Sequence, residues 1–325
     1  MSRYEGFGVV INPDGTMTRR RLPIDSRSEP CPDPTQSVPV LSKDVPINQS
    51  KNTSIRLFLP KQAAINSSPP AKLPLLIYFH GGGFVLCNPA STVFHDYCSN
   101  AALQLPAVVA SVGYRLAPEH RLPAAYDDCE EALRWLASIA GKEDPWLRDH
   151  ADYGNCFLMG NSAGGNIAYH VALRAANEIA AGQLKIRGVI LHHAFFGGVE
   201  RTGSEERLAV NPMLPLESAD MAWEMCLPVG ADRDHEYCNP MAGGGSEMLE
   251  KLRAVGCIVA VIAYEGDPLV DRSKEVVRMM EDKGIDVVAH FESGGSHGLE
   301  IMDAEKGKEF NGGLLKKFVQ SCLAA

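Results

Sequence analysis

Apolar residues run almost unbroken through Leu73-Pro74-Leu75-Leu76-Ile77-Tyr78-Phe79 and stop at His80-Gly81-Gly82-Gly83. A short apolar run without polar alternation predicts a strand buried on both faces of a sheet. Residues 108–112, 156–159, 188–192, 258–263 and 287–291 predict further strands, and residues 54–60 alternate as a strand does. Between these runs, apolar positions recur at helical spacing over residues 94–103, 126–139, 165–179, 272–283 and 313 to about 323. Strands alternating with helices predict an α/β fold: a mostly parallel sheet covered by helices on both faces. There is no internal repeat and no low-complexity tract.

Two stretches break this rhythm. Residues 1 to about 40 are rich in Pro, Ser and Arg; Val9-Val10-Ile11 before Asn12-Pro13-Asp14-Gly15 reads as a short strand and turn. Pro30-Cys31-Pro32-Asp33-Pro34 excludes regular structure. Residues 196 to about 248 carry Gly197-Gly198 and Pro212, Pro215, Pro228 and Pro240 around one helical segment, 218–227. An irregular insertion between core strands is a candidate lid. The expectation is a single domain over 1–325, with 1–45 and about 196–248 as a small cap.

Composition narrows the function classes. The chain is 45% hydrophobic and 22% charged, with a formal net charge of -9. No basic patch with interleaved aromatics exists, so nucleic acid is not an expected partner. Arg19-Arg20-Arg21 is isolated and reads as a solvated turn. No apolar run reaches membrane-spanning length, and the start lacks the apolar core of a secretory signal, so a cytoplasmic protein is expected. The nine cysteines show no CxxC pair and no metal spacing, and read as small buried hydrophobes; no metal is expected. The sequons at Asn48, Asn52 and Asn66 then read as plain polar loops.

The chemistry centres on Gly160-Asn161-Ser162-Ala163-Gly164, between a predicted strand and a predicted helix. Strand, tight turn and helix make G-x-S-x-G a nucleophile elbow, with Ser162 at its tip. A serine hydroxyl needs a base to take its proton and a carboxylate to orient that base. Asp267 follows the strand at 258–263 and His297 follows the strand at 287–291, at the carboxyl ends where open α/β sheets bind ligands. Asp271 is a weaker candidate for the acid, because it lies further on and opens a helix. The glycines after the central strand place backbone N–H groups of Gly81, Gly82 and Gly83, with that of Ala163, where an oxyanion would form. The run matches no phosphate loop, so no nucleotide cofactor is expected. His192-His193 read as satisfied core histidines. Phe84, Phe195, Phe196 and Trp223 read equally as pocket walls or as core.

His80-Gly81-Gly82-Gly83-Phe84, Tyr114-Arg115-Leu116-Ala117-Pro118-Glu119-His120, Pro123-Ala124-Ala125-Tyr126-Asp127-Asp128, the elbow, Asp267-Pro268-Leu269 and His297 together resemble the hormone-sensitive-lipase-type α/β-hydrolases. More narrowly, the chain resembles the plant carboxylesterases of that group, which also include gibberellin receptors and 2-hydroxyisoflavanone dehydratases. The resemblance implies an α/β-hydrolase fold without cofactor or metal, acting on short-acyl esters of small plant metabolites. It implies Ser162, Asp267 and His297 as the triad, and Gly82 and Gly83 as donors ahead of Gly81. The family usually has Glu or Asp before the nucleophile; here it is Asn161. A dehydratase or cyclase on the same site is the alternative, although Ser162 favours the esterase. A hormone receptor is the more remote one, since those receptors lack the triad histidine and His297 is present.

Overall fold

The apolar run after residue 72 is strand β5 (Leu73–Phe79), and a computed structural model describing residues 3–66, 72–138, 143–176, 184–242 and 246–324 places it inside an eight-stranded sheet. The other members are β3 (Val40–Asn48), β4 (Thr53–Pro60), β6 (Val108–Val112), β7 (Ala151–Asn161), β8 (Ile186–His192), β9 (Ile258–Tyr264) and β10 (Val287–Glu292). Their spatial order is β10-β9-β8-β7-β5-β6-β4-β3. From β6 to β10 every pairing is parallel, while β4 and the edge strand β3 are antiparallel.

Strand β5 has β6 on one side and β7 on the other. The winding of the chain therefore reverses at β5, and the loops leaving β5 and β7 open a crevice at their carboxyl ends. Side chains of β5 alternate between two cores. Leu75, Ile77 and Phe79 share one cluster with Tyr126, Ile167 and Val276, from helices Ala124–Ala137, Ala163–Arg174 and Val270–Asp282. Leu76 and Tyr78 share the other with Phe94, Phe310 and Phe318, from helices Thr92–Gln104, Ala304–Phe310 and Lys316–Ala324. Bidentate Arg115 caps this frame near the sheet, both nitrogens lying 2.8 Å from the buried Asp128 carboxylate.

The sequence reading needs correction at the amino end. Val40–Asn48 is a sheet strand, so residues 40–45 do not belong to a cap; Asp44 on this strand pairs with the buried Arg56 of β4 at 2.7 Å. The arginine triplet is not simply a solvated turn. Arg19 ends β2 (Met17–Arg19), which pairs with β1 (Val9–Ile11), and its guanidinium binds Glu119 and the carbonyls of Val85 and Ala117. Helices 126–139 and 165–179 were expected to extend onto positions 139 and 177–179, which lie outside the described residues.

The stretch after residue 196 holds helices Gly203–Arg207 and Leu216–Cys226. A capping box between Thr202 and Glu205 starts the first of them. Glu205 also reaches the buried Arg272 at 3.2 Å, which ties the insertion to the helix following β9. At its other side the insertion meets the amino-terminal segment: the Tyr4 hydroxyl donates to Glu224 at 2.7 Å and Arg3 pairs with the same carboxylate at 3.0 Å. Among the described residues no helix is long and apolar enough to cross a membrane.

Candidate active site

Strand β7 ends at Asn161 and the next helix begins at Ala163, which leaves Ser162 alone to turn the chain. It does so at φ 56° and ψ −120°, a conformation that costs a non-glycine residue about 1–3 kcal/mol. The turn closes because its flanks are bare. A Cβ on Gly160 would lie 2.0 Å from the Gly164 carbonyl oxygen, and one on Gly164 would lie 1.9 Å from that of Phe79. The strain aims the Ser162 hydroxyl off the end of the sheet, with the positive end of the helix behind it.

The structure brings the three predicted groups into one line. Ser162 Oγ is 2.9 Å from His297 Nε2, and His297 Nδ1 is 2.8 Å from Asp267 Oδ2. The acid and histidine loops are joined through their backbones: Glu265 N–H donates to the Glu292 carbonyl at 2.9 Å, and Gly266 N–H to that of Gly294 at 3.0 Å. Asp267 is fully buried, and its Oδ1 accepts the Leu269 N–H at 2.8 Å. Burial opposes ionisation of Asp267. The contacts with His297 and His193 outweigh it and hold the carboxyl well below the usual carboxylate range. Asp271 faces elsewhere: its Oδ2 accepts the Ser204 N–H at 2.7 Å, fastening the insertion.

Gly81, Gly82 and Gly83 line the same cavity as Ser162 and His297. Gly82 has φ +110°, and a Cβ there would meet the Leu86 carbonyl oxygen at 2.4 Å. Only glycine lets this loop fold back over the elbow. The Gly82 and Gly83 amides donate to no backbone carbonyl among the described residues, and Ala163 opens its helix with no preceding turn to donate to. The cavity holds about 310 Å³. Phe7 and Ile24 come to it from the amino-terminal segment, and Met213, Leu214 and Met221 from the insertion. Phe195 lines it too, while Phe84, Phe196 and Trp223 are buried behind; Trp223 stacks on Phe195 with ring centroids 4.6 Å apart.

Behind the triad lies a group the sequence did not reveal. Glu300, on the one-turn helix Leu299–Met302, is buried between His192 Nε2 at 3.2 Å and His193 Nε2 at 3.1 Å, and also accepts the Tyr264 hydroxyl. Burial again opposes its charge, and the two histidines outweigh burial and hold its carboxyl far below the usual range. His193 Nδ1 is 3.0 Å from Asp267 Oδ2, an ion-pair contact off the hydrogen-bonding direction. Burial lowers the His193 pKa, but Asp267 and Glu300 more than reverse this and raise it to about 9. Burial dominates at His192 and takes it to about 4. The nitrogens and oxygens of His192, His193 and Glu300, and of His193, Asp267 and His297, lie close enough to ligate a metal; Glu300 already faces both histidine Nε2 atoms of the first set within hydrogen-bond distance, and Asp267 faces His297 Nδ1 in the second.

Residues 76–301 match the family described as alpha/beta hydrolase fold. The chain is 48% identical over 311 residues to Carboxylesterase 20 of Arabidopsis thaliana, covering 94% of this chain and 93% of that protein. It is 42% identical over 306 residues to a 3-O-acetylpapaveroxine carboxylesterase of Papaver somniferum, covering 92% of each. Among solved structures, an esterase of Pyrobaculum calidifontis superposes with a TM-score of 0.70 at 26% identity, covering 88% of this chain and 86% of that one.

Proposed function

The chain belongs to the α/β-hydrolase family as a carboxylesterase of the plant type, and from that premise we propose that Ser162, His297 and Asp267 are the residues that cleave the ester. His297 Nε2 takes the Ser162 proton as Oγ attacks the ester carbonyl. Asp267 orients the imidazole and stabilises the imidazolium that forms. The carbonyl oxygen becomes an oxyanion facing the N–H groups of Gly82, Gly83 and Ala163. Gly81 must also be bare: a Cβ there would lie 2.9 Å from the Asn161 carbonyl oxygen, so glycine lets the loop lie against the elbow. His297 then gives its proton to the departing alkoxide. Water, deprotonated by the same nitrogen, hydrolyses the acyl-enzyme and frees the acid.

The observation that carries this reading is the pair of contacts at 2.9 and 2.8 Å running from Ser162 through His297 to the buried Asp267. The substrates we assign are short-acyl esters of small plant metabolites, since about 310 Å³ admits a small ester whole. The cap we assign is the amino-terminal segment ahead of β3 together with the insertion after residue 196, because both contribute walls to the cavity and touch through Glu224. The cytoplasm is the proposed location: all nine cysteines are free thiols.

The test is an aryl acetate, butyrate and octanoate series with a paraoxon-labelled sample run in parallel. The reading expects turnover that falls with acyl length and one diethylphosphoryl adduct, on the peptide containing Ser162. Turnover persisting in Ser162→Ala, or an adduct elsewhere, would overturn it.

A further inference from the structure

We propose that the arginine-lined groove beside the catalytic cavity is a second subsite, which binds a carboxylate or phosphate carried by the ester; the inference rests on the ester-cleaving reading above and deepens it by naming a feature of the substrate.

The chain as a whole is acidic, with a formal net charge of -9. One groove of about 510 Å³ runs against that average. Arg19, Arg20, Arg21 and Arg27 line it, against the carboxylates of Asp25 and Glu119. Glu119 is already paired: Arg19 holds it bidentately at 2.8 and 2.6 Å. Asp25 Oδ1 accepts the Cys87 N–H at 3.0 Å. Arg21 donates from Nε to the Asp25 carbonyl at 3.0 Å, and the guanidinium groups of Arg20 and Arg27 have no hydrogen bond or ion pair among the described residues. The guanidinium groups of Arg20, Arg21 and Arg27 thus share the groove with a single remaining carboxylate, Asp25. Like charges held together repel, and an anion between them relieves the repulsion. The planar guanidinium fork matches the paired oxygens of a carboxylate or phosphate.

The groove adjoins the site of cleavage. Phe7 and Leu86 line both it and the cavity that holds Ser162 and His297. Leu86 belongs to the glycine turn, its N–H donating to the Gly82 carbonyl at 2.9 Å. The backbone sets the arginines on this border. The Arg20 N–H donates to the Gly8 carbonyl at 2.7 Å, which lays the triplet against the turn carrying Phe7. Gly8 permits the approach: at φ +65°, a Cβ there would meet the Arg20 carbonyl oxygen at 2.3 Å. On either side of Arg27, the Ser26 carbonyl accepts the Thr92 N–H at 2.7 Å and the Ser28 N–H donates to the Ala90 carbonyl at 2.9 Å. The reacting ester occupies the first cavity, and a charged substituent on it passes Phe7 and Leu86 into the groove. The net charge of the chain repels such a substrate, and the groove supplies the local attraction that overcomes it.

The experiment compares esters matched in size and differing in charge. On the alcohol side, 4-acetoxybenzoate and 4-acetoxyphenyl phosphate are set against neutral 4-acetoxybenzamide. On the acyl side, an aryl hydrogen adipate is set against the aryl hexanoate. In wild type at low salt, the charged member on one of the two sides should have a kcat/KM about tenfold above its neutral partner, mostly through KM. Whichever alcohol-side anion gains more tells carboxylate from phosphate. In the combined variant Arg20→Gln, Arg21→Gln, Arg27→Gln the charged-to-neutral ratio should fall by about tenfold. Raising salt to about 0.5 M should shrink the wild-type ratio by about threefold or more, because exposed charges are screened, and this measurement serves if the variant does not fold. A wild type that prefers no charged ester on either side, or a preference that the folded variant keeps, overturns the inference. Failure to hydrolyse any of these esters, with no paraoxon adduct on Ser162, would instead overturn the ester-cleaving reading beneath it.

Discussion

Asn161 donates from Nδ2 to His192 Nδ1 at 2.8 Å, so the residue just before Ser162 sets the tautomer of a histidine on the neighbouring strand. A carboxylate at position 161 can only accept. Asn161→Asp should therefore place a proton on Nδ1 while Nε2 still donates to Glu300, turning His192 from neutral to cationic. Histidine titration by NMR checks this: the His192 pKa, at about 4 in the native chain, should rise by at least one unit. A His192 pKa in Asn161→Asp no higher than in the native chain would refute the assignment.

Removal of the Ser162 hydroxyl, the proposed nucleophile, should cost rate and leave binding. In Ser162→Ala we expect kcat to fall by about 10⁴-fold or more, with KM changed only a few-fold. Steady-state kinetics on an aryl acetate measure both.

The elbow should tolerate no added methyl. A Cβ 1.9 Å from the Phe79 carbonyl oxygen cannot be absorbed by a side-chain rotation, because the obstacle is strand backbone. Gly164→Ala should lose about 3 kcal/mol or more, or fail to yield folded protein. Gly313→Ala, where a Cβ would meet nothing within 4 Å, is the control and should melt within a few degrees of wild type. Thermal melts of the pair decide the matter.

Asp128→Asn should destabilise without altering catalysis directly. The Asp128 carboxylate is buried and takes three bonds from Arg115, two from the guanidinium and one from its backbone N–H at 3.0 Å. Removing one charge of a buried pair costs about 3–5 kcal/mol. Urea unfolding should show this loss, with KM on the surviving folded enzyme close to that of wild type.

Stability should fall on the alkaline side. His193 has a pKa of about 9 in the folded chain, above its unfolded value near 6.5. A raised pKa stabilises fully below the unfolded value, and that contribution is lost as pH climbs from about 6.5 to about 9. The difference of about 2.5 units corresponds to about 3 kcal/mol. The Tm of wild type should drop across this window, and the drop should shrink in Glu300→Gln. Equal slopes in the two proteins would contradict a charged His193.

The parts of the molecule that sequence made legible are those whose physics is local. Unbroken apolar runs give β5 and its parallel neighbours, because a strand covered on both faces has no polar side to show. Asp267 and His297 stand out because each follows such a run. Strand β3 hides for the opposite reason: at the sheet edge it carries Lys43, Asp44 and Pro46, so its pattern is that of a loop. Arg19 looked like part of a solvated turn, since nothing nearby announces Glu119, one hundred positions away. Glu300 was missed for the same reason. Its partners are 107 and 108 positions upstream, and the one available clue was that two adjacent histidines at a strand end must find acceptors somewhere. The capping box at Thr202 and Glu205 has the spacing of its motif, but it sits in a proline-rich stretch with little helical periodicity around it.

Much of the cavity roof comes from stretches that contribute no strand to the eight-stranded sheet, the amino-terminal segment and the insertion after residue 196. Substrate choice and bond cleavage are therefore separately adjustable. A mutant library confined to Phe7, Ile24, Met213, Leu214 and Met221 can explore new ester preferences while leaving untouched the residues that set the rate of the chemistry.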